Sequence, residues 1–366
     1  MPNDLYFIKK TFSLAKKAEG FTSPNPIVGA VITRNGKIVG RGYHKKSGLP
    51  HAEIEAIKNI KGTLKGTELY VNLEPCCHWG KTGPCVDKII ESGIKKVVIA
   101  CYDPNPRVRG RSVKKMKKAG IAVKTGILKN EAEILNEVFF KNMKKKLPFI
   151  TAKSAQSLDG KIAAGSGDSK WITGEAARLF SKSLRDKYDA VAVGVNTVIK
   201  DDPVLEGIKK SPYKVIFDGS LRIPLNSKLV KDGKNNLIIF SFYKAKRKKK
   251  KIELLKTKGR IYFLKENKGL FNLRQVLKIL FATGIMSLFV EGGSVTLGRF
   301  FDSGLVDKVY FFFAPKIIGG SQSLTSVSGT GVSKISKAVA VRDLEIKKIG
   351  DDFLVKGYPC YKRGGK

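Results

Sequence analysis

Apolar residues recur in short blocks along the chain, and the spacing within each block predicts its secondary structure. Residues 68–73 alternate between apolar and polar positions, as in a half-buried strand, and the apolar run 96–101 is typical of a buried one. Two further strand-like runs, 28–33 and 37–42, are joined by Asn35-Gly36, a strong hairpin signal. Helices are predicted at 4–18 (with Asp4 as N-cap), 51–60, 84–92, 113–119 and 131–145. Strands interleaved with helices predict a mixed sheet covered by helices on both faces.

A second series of apolar strands starts after the charged segment KKKLP at 144–148. We predict strands at 149–154, 190–193, 214–217, 237–240, 260–264, 287–290 and 308–314, with helices between several of them. A chain of 366 residues is long enough for two domains. We therefore expect a first domain at 1–146 and a second α/β domain at 147–366.

The same pattern excludes several classes of protein. The longest apolar run, 276–290, is shorter than the roughly 18 residues of a membrane span and is interrupted by Lys278, so it predicts a helix followed by a strand. The N-terminus lacks the apolar core of a secretory signal. Five cysteines in 366 residues do not make a disulfide scaffold. We expect a cytoplasmic protein with no membrane partner.

The net charge of +39 suggests at first a nucleic-acid partner. However, the 70 basic residues comprise 56 lysines and 14 arginines, whereas recognition of phosphates and bases favours the planar guanidinium of arginine. We interpret the charge as a solvated surface and expect no specific nucleic-acid partner. The run KRKKKK at 246–251 is interpreted as an exposed loop or helix end.

Candidate metal chemistry is concentrated in two segments, HAE at 51–53 and PCCHWGKTGPC at 75–85. A catalytic zinc ion takes three protein ligands, typically imidazole nitrogen and thiolate sulfur, and leaves one position for water. His51, Cys76 and Cys85 supply such a set, and Glu53 lies close enough to move protons without binding the metal. We therefore predict one zinc ion per chain and Glu53 as the catalytic acid and base.

Two other interpretations of the cysteine cluster stay open at this point. A structural zinc site would need four protein ligands, and Cys77 or His78 could supply the fourth. Cys76 and Cys77 could instead form a redox pair. We favour a site in which neither Cys77 nor His78 binds the metal.

The spacing of nine residues between Cys76 and Cys85 departs from the H-x-E…P-C-x-x-C pattern of zinc deaminases. The combined PCxxxGxxxPC motif resembles the deaminase half of the bifunctional riboflavin-biosynthesis deaminase/reductase family, and the resemblance extends along essentially the whole chain. It implies a cytidine-deaminase-like α/β/α domain. By this resemblance, the pyrimidine base and its ribose phosphate are held by residues in SPNPIVG, GYH, GKTGPC and YDPNP, namely Asn25, His44, Lys81, Asp103 and Asn105.

The second half has weaker signals of its own. An ordinary dinucleotide fingerprint, G-x-G-x-x-G, does not follow its first strand, but Val290 to Ser294 reads as a strand, two glycines and the start of a helix. Such a turn lets the backbone approach a pyrophosphate, although a tight strand-to-helix connection explains it equally well.

Four segments, SAQSLDGKIA, SKWIT, VGVNTVIKDDPVL and VEGGSVTLGRF, resemble the reductase half of the same family. The resemblance implies a dihydrofolate-reductase-like α/β fold and NADPH as cofactor. It assigns cofactor contacts to Ala155, Trp171, Thr197, Asp201, Gly293, Ser294, Val295, Thr296, Leu297, Gly298 and Arg299. It assigns contacts with the phosphorylated substrate to Ser169, Arg185, Leu205 and Glu291.

One departure from the family pattern concerns the residues after Leu205. The family often has a threonine and a phosphate-binding arginine there, whereas this chain continues with Glu206-Gly207-Ile208-Lys209. Glu206 brings negative charge, and Lys209 or Lys210 is the candidate replacement cation. This departure predicts a weaker contact with the substrate phosphate in the reductase half.

The resemblance implies hydrolytic deamination of 2,5-diamino-6-(5-phosphoribosylamino)pyrimidin-4-one, followed by NADPH reduction of the ribosyl group to a ribityl chain. The expected partner is this phosphorylated small molecule, and we expect a homo-oligomer. Two alternatives are a nucleoside or tRNA deaminase with a basic RNA-binding C-terminal domain, and a non-enzymatic RNA-binding protein with a structural zinc.

Overall fold

The chain divides into two compact units, Met1–Leu147 and Pro148–Lys366. The structure is a computed structural model that describes residues 3–79, 83–232 and 234–361. The division falls one residue beyond the boundary that we predicted from the charged segment. Among the described residues, no helix combines the length and apolar character needed to cross a membrane.

The first unit is a five-stranded mixed sheet between helices, as the alternating pattern predicted. Its strands are β1 (Gly29–Arg34), β2 (Lys37–Tyr43), β3 (Glu68–Leu73), β4 (Lys96–Cys101) and β5 (Ala122–Thr125). Its α-helices are α1 (Asp4–Ala15), α2 (Ala52–Lys58), α3 (Cys85–Glu91), α4 (Arg111–Lys118), α5 (Lys129–Leu135) and α6 (Glu137–Lys145). The strand order is β2-β1-β3-β4-β5, with β1 antiparallel to both neighbours and β3, β4 and β5 parallel.

The alternation of side chains along β3 divides the core of this unit into two layers. Leu69 and Val71 pack in the cluster formed with α2, α3 and α4, whereas Tyr70 packs in the cluster formed with α1, α5 and α6. Successive strand residues point to opposite faces, so one strand supplies both layers. The central strands β1, β3 and β4 are therefore covered on both faces.

Two local predictions in this unit were wrong. The N-cap of α1 is Asn3, whose side chain accepts a hydrogen bond from the backbone N–H of Tyr6, while Asp4 is the first helical residue and pairs with Lys96. The helix predicted at 131–145 is two helices, because the buried side chain of Asn136 interrupts it. Asn136 bonds through its amide to both the N–H and the carbonyl of Ile27.

The second unit is built on a nine-stranded sheet of order β11-β10-β9-β8-β12-β6-β13-β16-β15. The strands of this unit are β6 (Phe149–Ser157), β7 (Lys161–Ala163), β8 (Ala190–Gly194), β9 (Tyr213–Phe217), β10 (Leu237–Phe242), β11 (Gly259–Leu264), β12 (Ser287–Val290), β13 (Lys308–Ala314), β14 (Leu324–Thr325), β15 (Ala340–Ile349) and β16 (Asp352–Cys360), of which β7 and β14 pair in a separate two-stranded sheet. Its α-helices are α7 (Glu175–Arg185), α8 (Val195–Asp201), α9 (Lys228–Lys231), α10 (Lys249–Lys256), α11 (Leu273–Ala282) and α12 (Ser294–Asp302). The predicted run 276–290 is indeed the end of a helix followed by a strand.

Parallel pairing along the middle of this sheet determines where a ligand can bind. In sheet order, every pairing from β11 through β13 is parallel, and the pairings of β13 with β16 and of β16 with β15 are antiparallel. Parallel strands place their carboxyl ends along one edge, where the connections to α8 and α12 begin. A cleft of about 510 Å³ opens at this edge. The C-terminal hairpin, β15 and β16, was not predicted from the sequence.

Candidate metal centre and cofactor cleft

Three predicted metal ligands converge in the first unit. His51 directly precedes α2, Cys85 is the first residue of α3, and Cys76 lies in the connection after β3. The Nδ1 atom of His51 is 3.1 Å from the Sγ of Cys85 and 3.5 Å from the Sγ of Cys76. All three ligand atoms lie within 4.8 Å of one another. Residues 25 and 34 positions apart are thus brought to one point by two helix starts and one strand end.

The backbone of α3 prepares Cys76 to act as a thiolate. The N–H of Cys85 donates to the Sγ of Cys76 at 3.3 Å, and the N–H of Val86 donates to the backbone carbonyl of Cys76 at 3.2 Å. Hydrogen bonds and a nearby helix N-terminus stabilise a sulfur anion. The hydrogen bonds from Cys85 and His51 lower the pKa of the Cys76 thiol.

Glu53 lies in the first turn of α2 and is only 3% exposed. Burial raises the pKa of its carboxyl to about 7, although the neighbouring His51 opposes the shift. The carboxyl group also forms a hydrogen bond with Cys85. A carboxyl that can take and release a proton near neutral pH therefore stands beside the three ligands.

The donor set fits a catalytic zinc ion better than a structural one. One imidazole nitrogen and two sulfurs are ligands that zinc prefers, and three protein ligands leave a position for water. Within the described part of the chain, the group contains neither Cys77 nor His78. Cys77 directs its thiol to the carbonyl of Arg107 at 3.6 Å. The geometry thus disfavours a four-ligand structural site.

A cavity of about 360 Å³ extends from this centre and gathers most of the predicted substrate contacts. Its lining includes Asn25, His44, Asp103 and Asn105, together with His51, Glu53 and Cys76. The predicted contact Lys81 lies outside the described residues.

Two of these side chains are linked in a short chain of hydrogen bonds. Asn25 Nδ2 and His44 Nε2 are 3.1 Å apart, and His44 Nδ1 is 3.1 Å from the carbonyl oxygen of Pro50. Burial lowers the pKa of His44, which favours the neutral ring. Its Nδ1 then donates to Pro50 and its Nε2 accepts from Asn25, so the amide is held with a fixed orientation at the cavity wall.

Glu74 also lines this cavity and was missed by sequence reasoning. Its buried carboxylate accepts hydrogen bonds from the backbone N–H of Asp103 at 3.3 Å, the N–H of Gly110 at 3.0 Å and the hydroxyl of Ser112 at 2.5 Å. All three donors belong to the segment 103–112, which carries Asp103 and Asn105. Glu74 directly follows β3, whose last five residues are uncharged, and a carboxylate at that place is a sequence signal that could have identified it.

The cleft of the second unit is lined by many of the predicted cofactor contacts. These are Thr197, Asp201, Gly293, Ser294, Val295, Thr296 and Arg299, and the predicted substrate contact Ser169 lines it as well. Gly293 caps the N-terminus of α12 with extended backbone. The N–H groups of the first turn of this helix are therefore available to an anion at the centre of the cleft.

Other predicted contacts are placed differently. Leu297 and Leu205 are core residues, 1% and 3% exposed. A Cβ on Gly298 would lie 1.7 Å from the carbonyl oxygen of Ser328, so this glycine permits close packing of two backbone segments. Ala155 is half-buried on β6, and Trp171 is 63% exposed with Arg178 stacked over its ring.

Glu291 and Arg185 form a bidentate ion pair at the end of β12. The Nε and Nη2 atoms of Arg185 donate to the two carboxylate oxygens of Glu291 at 2.5 and 3.0 Å. Lys153 joins them, with its Nζ 3.6 Å from Glu291 and its side chain only 16% exposed. Burial lowers the pKa of Lys153, although Glu291 opposes the shift. The sequence analysis did not predict Lys153 as a site residue, although a lysine inside the largely buried strand FITAKSAQS could have indicated it.

The structure gives a physical account of Glu206, the residue that departs from the family pattern. Its carboxylate accepts from Lys214 Nζ at 2.7 Å, Lys234 Nζ at 3.0 Å and Ser211 Oγ at 3.1 Å. Lys214 is fully buried and also pairs with Asp232. The carboxylate of Glu206 therefore compensates the charge of a buried lysine. The backbone carbonyl of Glu206 accepts a hydrogen bond from Arg185 Nη1 at 3.0 Å.

Comparisons with known families agree with this division of the chain. The family described as cytidine and deoxycytidylate deaminase zinc-binding region matches residues 1–101, and the family described as RibD C-terminal domain matches residues 148–355. The riboflavin biosynthesis protein RibD of Aquifex aeolicus is 44% identical over 357 residues, covering 96% of this chain and 97% of that protein. The RibD protein of Escherichia coli is 34% identical, covering 95% and 97%.

Solved structures show the same correspondence over nearly the whole chain. The structure described as Acinetobacter baumannii RibD, form 1, superposes with a TM-score of 0.87 at 32% identity, covering 98% of this chain and 99% of that one. A diaminohydroxyphosphoribosylaminopyrimidine deaminase/5-amino-6-(5-phosphoribosylamino)uracil reductase from Thermotoga maritima has a TM-score of 0.83 at 36% identity, with the same coverage. These matches favour neither of the RNA-related alternatives.

Proposed function

Because the chain belongs to the RibD family of bifunctional deaminase–reductases of riboflavin biosynthesis, we propose specific roles for the residues gathered at its two sites. His51, Cys76 and Cys85 hold the zinc ion of the deaminase unit. The observation that carries this proposal is the convergence of these three ligand atoms within 4.8 Å beside the buried Glu53. The reductase unit uses NADPH, for which the cleft beside α12 is the proposed site.

In the deaminase unit, a bound zinc ion supplies an activated water molecule at neutral pH. Glu53 accepts the proton of the attacking water at its carboxylate and delivers a proton to the departing amino group, so that ammonia leaves. Its buried position suits this role, because the protonated and ionised forms are both accessible near pH 7. The proposed substrate is 2,5-diamino-6-(5-phosphoribosylamino)pyrimidin-4-one.

Four described residues and Lys81 are proposed to orient this substrate. Asn25, held by His44, presents its amide to the polar edge of the pyrimidine. Asp103 and Asn105 bind the ribose phosphate portion, and Lys81 pairs with the phosphate. Burial raises the pKa of Asp103 to about 7, so its carboxyl can donate as well as accept a hydrogen bond near neutral pH.

In the reductase unit, bound NADPH would supply a hydride to C1 of the ribosyl group, whose bond to the ring oxygen breaks as the C1–H bond forms, so that one proton is taken up with the hydride. We propose that Lys153 provides the accompanying proton, because it is a largely buried cation whose lowered pKa makes proton release easier. Glu291 orients Lys153 and contacts the substrate chain, and Arg185 holds Glu291 in place. Ser169 and Lys209 are proposed to contact the substrate phosphate. Lys209 takes the place of the arginine that the family often has after Leu205.

The test of this function compares two substitutions in the same helix. Glu53→Gln should retain about one zinc ion per chain but lower the deamination rate by about 100- to 10,000-fold, the usual contribution of a general acid and base. Glu55→Gln is the matched control, since Glu55 is two residues away and pairs with the exposed Lys45. Ammonia release and zinc content are measured on both purified variants. Unchanged deamination by Glu53→Gln would contradict the assignment.

We also propose a homo-oligomer that assembles through β15. This strand forms one edge of the nine-stranded sheet, and its apolar residues Leu344 and Ile346 are 56% and 71% exposed. Exposed edge strands pair readily with a second strand. Light scattering should give a mass of at least two chains, and Ile346→Glu should reduce it to one. Leu254→Glu, which changes an exposed leucine on α10, should leave the mass unchanged.

A cytoplasmic location is the remaining proposal. It is supported by the five cysteines, which are all free of disulfide bonds in the structure. Fractionation of cells that produce the protein tests it, and recovery outside the cytoplasmic fraction would contradict it.

A further inference from the structure

The cofactor cleft of the second unit has a cationic end. Three cationic residues line it, Lys200, Arg222 and Arg299, and the only carboxylate among the described lining residues is Asp201. Lys200 and Arg222 are exposed, whereas Arg299 is only partly exposed and its Nη2 donates to the carbonyl of Phe271 at 2.9 Å. Lys200 and Arg222 are therefore the cations most available to an anionic ligand.

The backbone holds Arg222 in a defined position at the cleft. Its neighbours Leu221 and Ile223 are both fully buried, so the loop between β9 and α9 is anchored on each side of an exposed arginine. The buried carboxylate of Asp218 accepts from the N–H of Ile223 at 2.7 Å. Lys248 Nζ donates to the carbonyl of Leu221 at 3.3 Å. The loop backbone that carries Arg222 is thus fixed by buried neighbours and hydrogen bonds at the edge of the cleft.

The side chain of Arg222 is aimed at α8. Its Nη2 donates to the Oδ1 of Asn196 at 2.6 Å. Lys200 lies four residues after Asn196 on the same helix and therefore on the same face. Two cations from different elements consequently line one end of the cleft, and the contact of Arg222 with Asn196 leaves most guanidinium donors for a ligand.

The sheet order indicates which part of a dinucleotide reaches these cations. The N-terminus of α12 follows β12, in the middle of the parallel strands, and suits the pyrophosphate. The part of the cofactor that donates the hydride must lie on the β6 side of the cleft, where Lys153 and Glu291 meet. The adenosine end then extends across β8 and β9, toward Arg222.

The lining of that end also suits an adenine ring. Phe217, Phe242 and Phe271 line the same cleft, and the rings of Phe242 and Phe271 lie 4.3 Å apart. Aromatic faces stack readily on a nucleobase. The ribose of the adenosine would therefore lie next to Arg222, between the aromatic group and α8.

We propose that Arg222, assisted by Lys200, binds the 2′-phosphate of the cofactor and so selects NADPH over NADH. The inference rests on the proposed location of the cofactor in this cleft. A guanidinium forms bidentate, charge-assisted hydrogen bonds with a phosphate, and NADH offers no such group at this position. Without the phosphate, Arg222 keeps its bond to Asn196, so NADH binding gains nothing from the arginine.

The experiment measures binding by calorimetry with the full-length chain and four probes: NADPH, NADH, 2′,5′-ADP and 5′-ADP. Arg222→Ala should weaken NADPH and 2′,5′-ADP by about 10- to 100-fold, the usual effect of losing a hydrogen-bonded charge partner. Binding of NADH and 5′-ADP should change less than about twofold. Arg222→Lys should recover part of the lost affinity, because lysine keeps the positive charge but cannot form the bidentate hydrogen bonds of a guanidinium.

Arg247→Ala is the matched control for charge alone. Arg247 is exposed in the neighbouring basic segment and does not line the cleft, so its removal should affect all four probes equally and weakly. Equal weakening of NADPH and NADH by Arg222→Ala, or no weakening of either, would overturn the inference. Failure of the unmodified chain to bind NADPH at all would instead refute the proposed cofactor site.

Discussion

Cys76 and Cys77 are adjacent in the chain but have different environments. The Sγ of Cys76 is surrounded by the imidazole of His51 and the N–H of Cys85, whereas Cys77 points to the carbonyl of Arg107. The pKa of Cys76 is lowered by hydrogen bonds, and that of Cys77 is raised by burial. Adjacent cysteines can therefore differ completely in metal chemistry.

Zinc content separates the two roles. Cys85→Ser should lose most of the bound zinc, because a hydroxyl is a poor ligand compared with a thiolate. Cys77→Ser should keep about one zinc ion per chain and change the free energy of unfolding by less than about 1 kcal/mol. Both are measured by elemental analysis of protein purified without added metal. Loss of zinc from the Cys77 variant would show that the ligand set is wrong.

The titration of Lys153 predicts a pH dependence for the reductase. If Lys153 must be protonated to deliver its proton, activity falls as the pH rises through its pKa, which burial places below the ordinary lysine value. Glu291 is the group that raises this pKa, so Glu291→Gln should shift the alkaline limb to lower pH. The profile of kcat/KM for NADPH oxidation between pH 6 and 10 checks this. A limb that stays in place, or moves upward, would exclude Lys153 as the titrating group.

At the scale of elements, three donors of the segment 103–112 converge on one buried carboxylate. Two backbone N–H groups and one hydroxyl of this segment donate to Glu74, which directly follows β3. A buried donor left without an acceptor costs about 1–3 kcal/mol. The position of the proposed substrate contacts Asp103 and Asn105 is therefore set by a residue that need not touch the substrate.

Glu74→Gln should disturb this segment without removing the metal. An amide has one acceptor oxygen, so at least one of the three donors loses its partner. We expect KM for the deaminase substrate to rise by roughly tenfold, equivalent to about 1.4 kcal/mol, with kcat changed by less than about threefold. Glu91→Gln, at an exposed position on α3, is the control. Zinc loss or an equal fall in kcat would assign Glu74 a different role.

Local pattern predicted the bounds of several elements, but it missed the hairpin of β15 and β16 and one helix break. Residues 68–73, 96–101, 287–290 and 308–314 form strands with the predicted bounds. The helix predicted at 131–145 is divided because Asn136 satisfies the backbone of Ile27, more than a hundred residues away in sequence. The local pattern of apolar and polar residues cannot predict a hydrogen-bond partner that is distant in sequence.

At the scale of the whole molecule, each unit has its own core. The clusters around β3 contain only residues of the first unit, and the cluster around β8 and β9 contains only residues of the second. Both proposed sites are likewise lined by residues of one unit. A unit with its own core can in principle fold alone.

Separate expression tests this independence. Residues 1–147 should bind zinc and deaminate the substrate, and residues 148–366 should bind NADPH, each within about tenfold of the full-length chain, equivalent to about 1.4 kcal/mol. Calorimetry, zinc analysis and ammonia release provide the measurements, with an equimolar mixture of the two as control. An unfolded or inactive fragment would show that the units depend on each other.

The sequence alone determined the α/β class and the family, because these depend on periodicity and on motifs a few residues long, and the same motifs predict the metal ligands. Tertiary structure decided which side chains meet. Glu74, Lys153 and Arg222 carry no local motif, and their partners lie on other elements. Glu206 looked unfavourable in sequence, yet it compensates the buried Lys214. The reason is physical: the consequence of a charge depends on its burial and on its neighbours, and folding sets both.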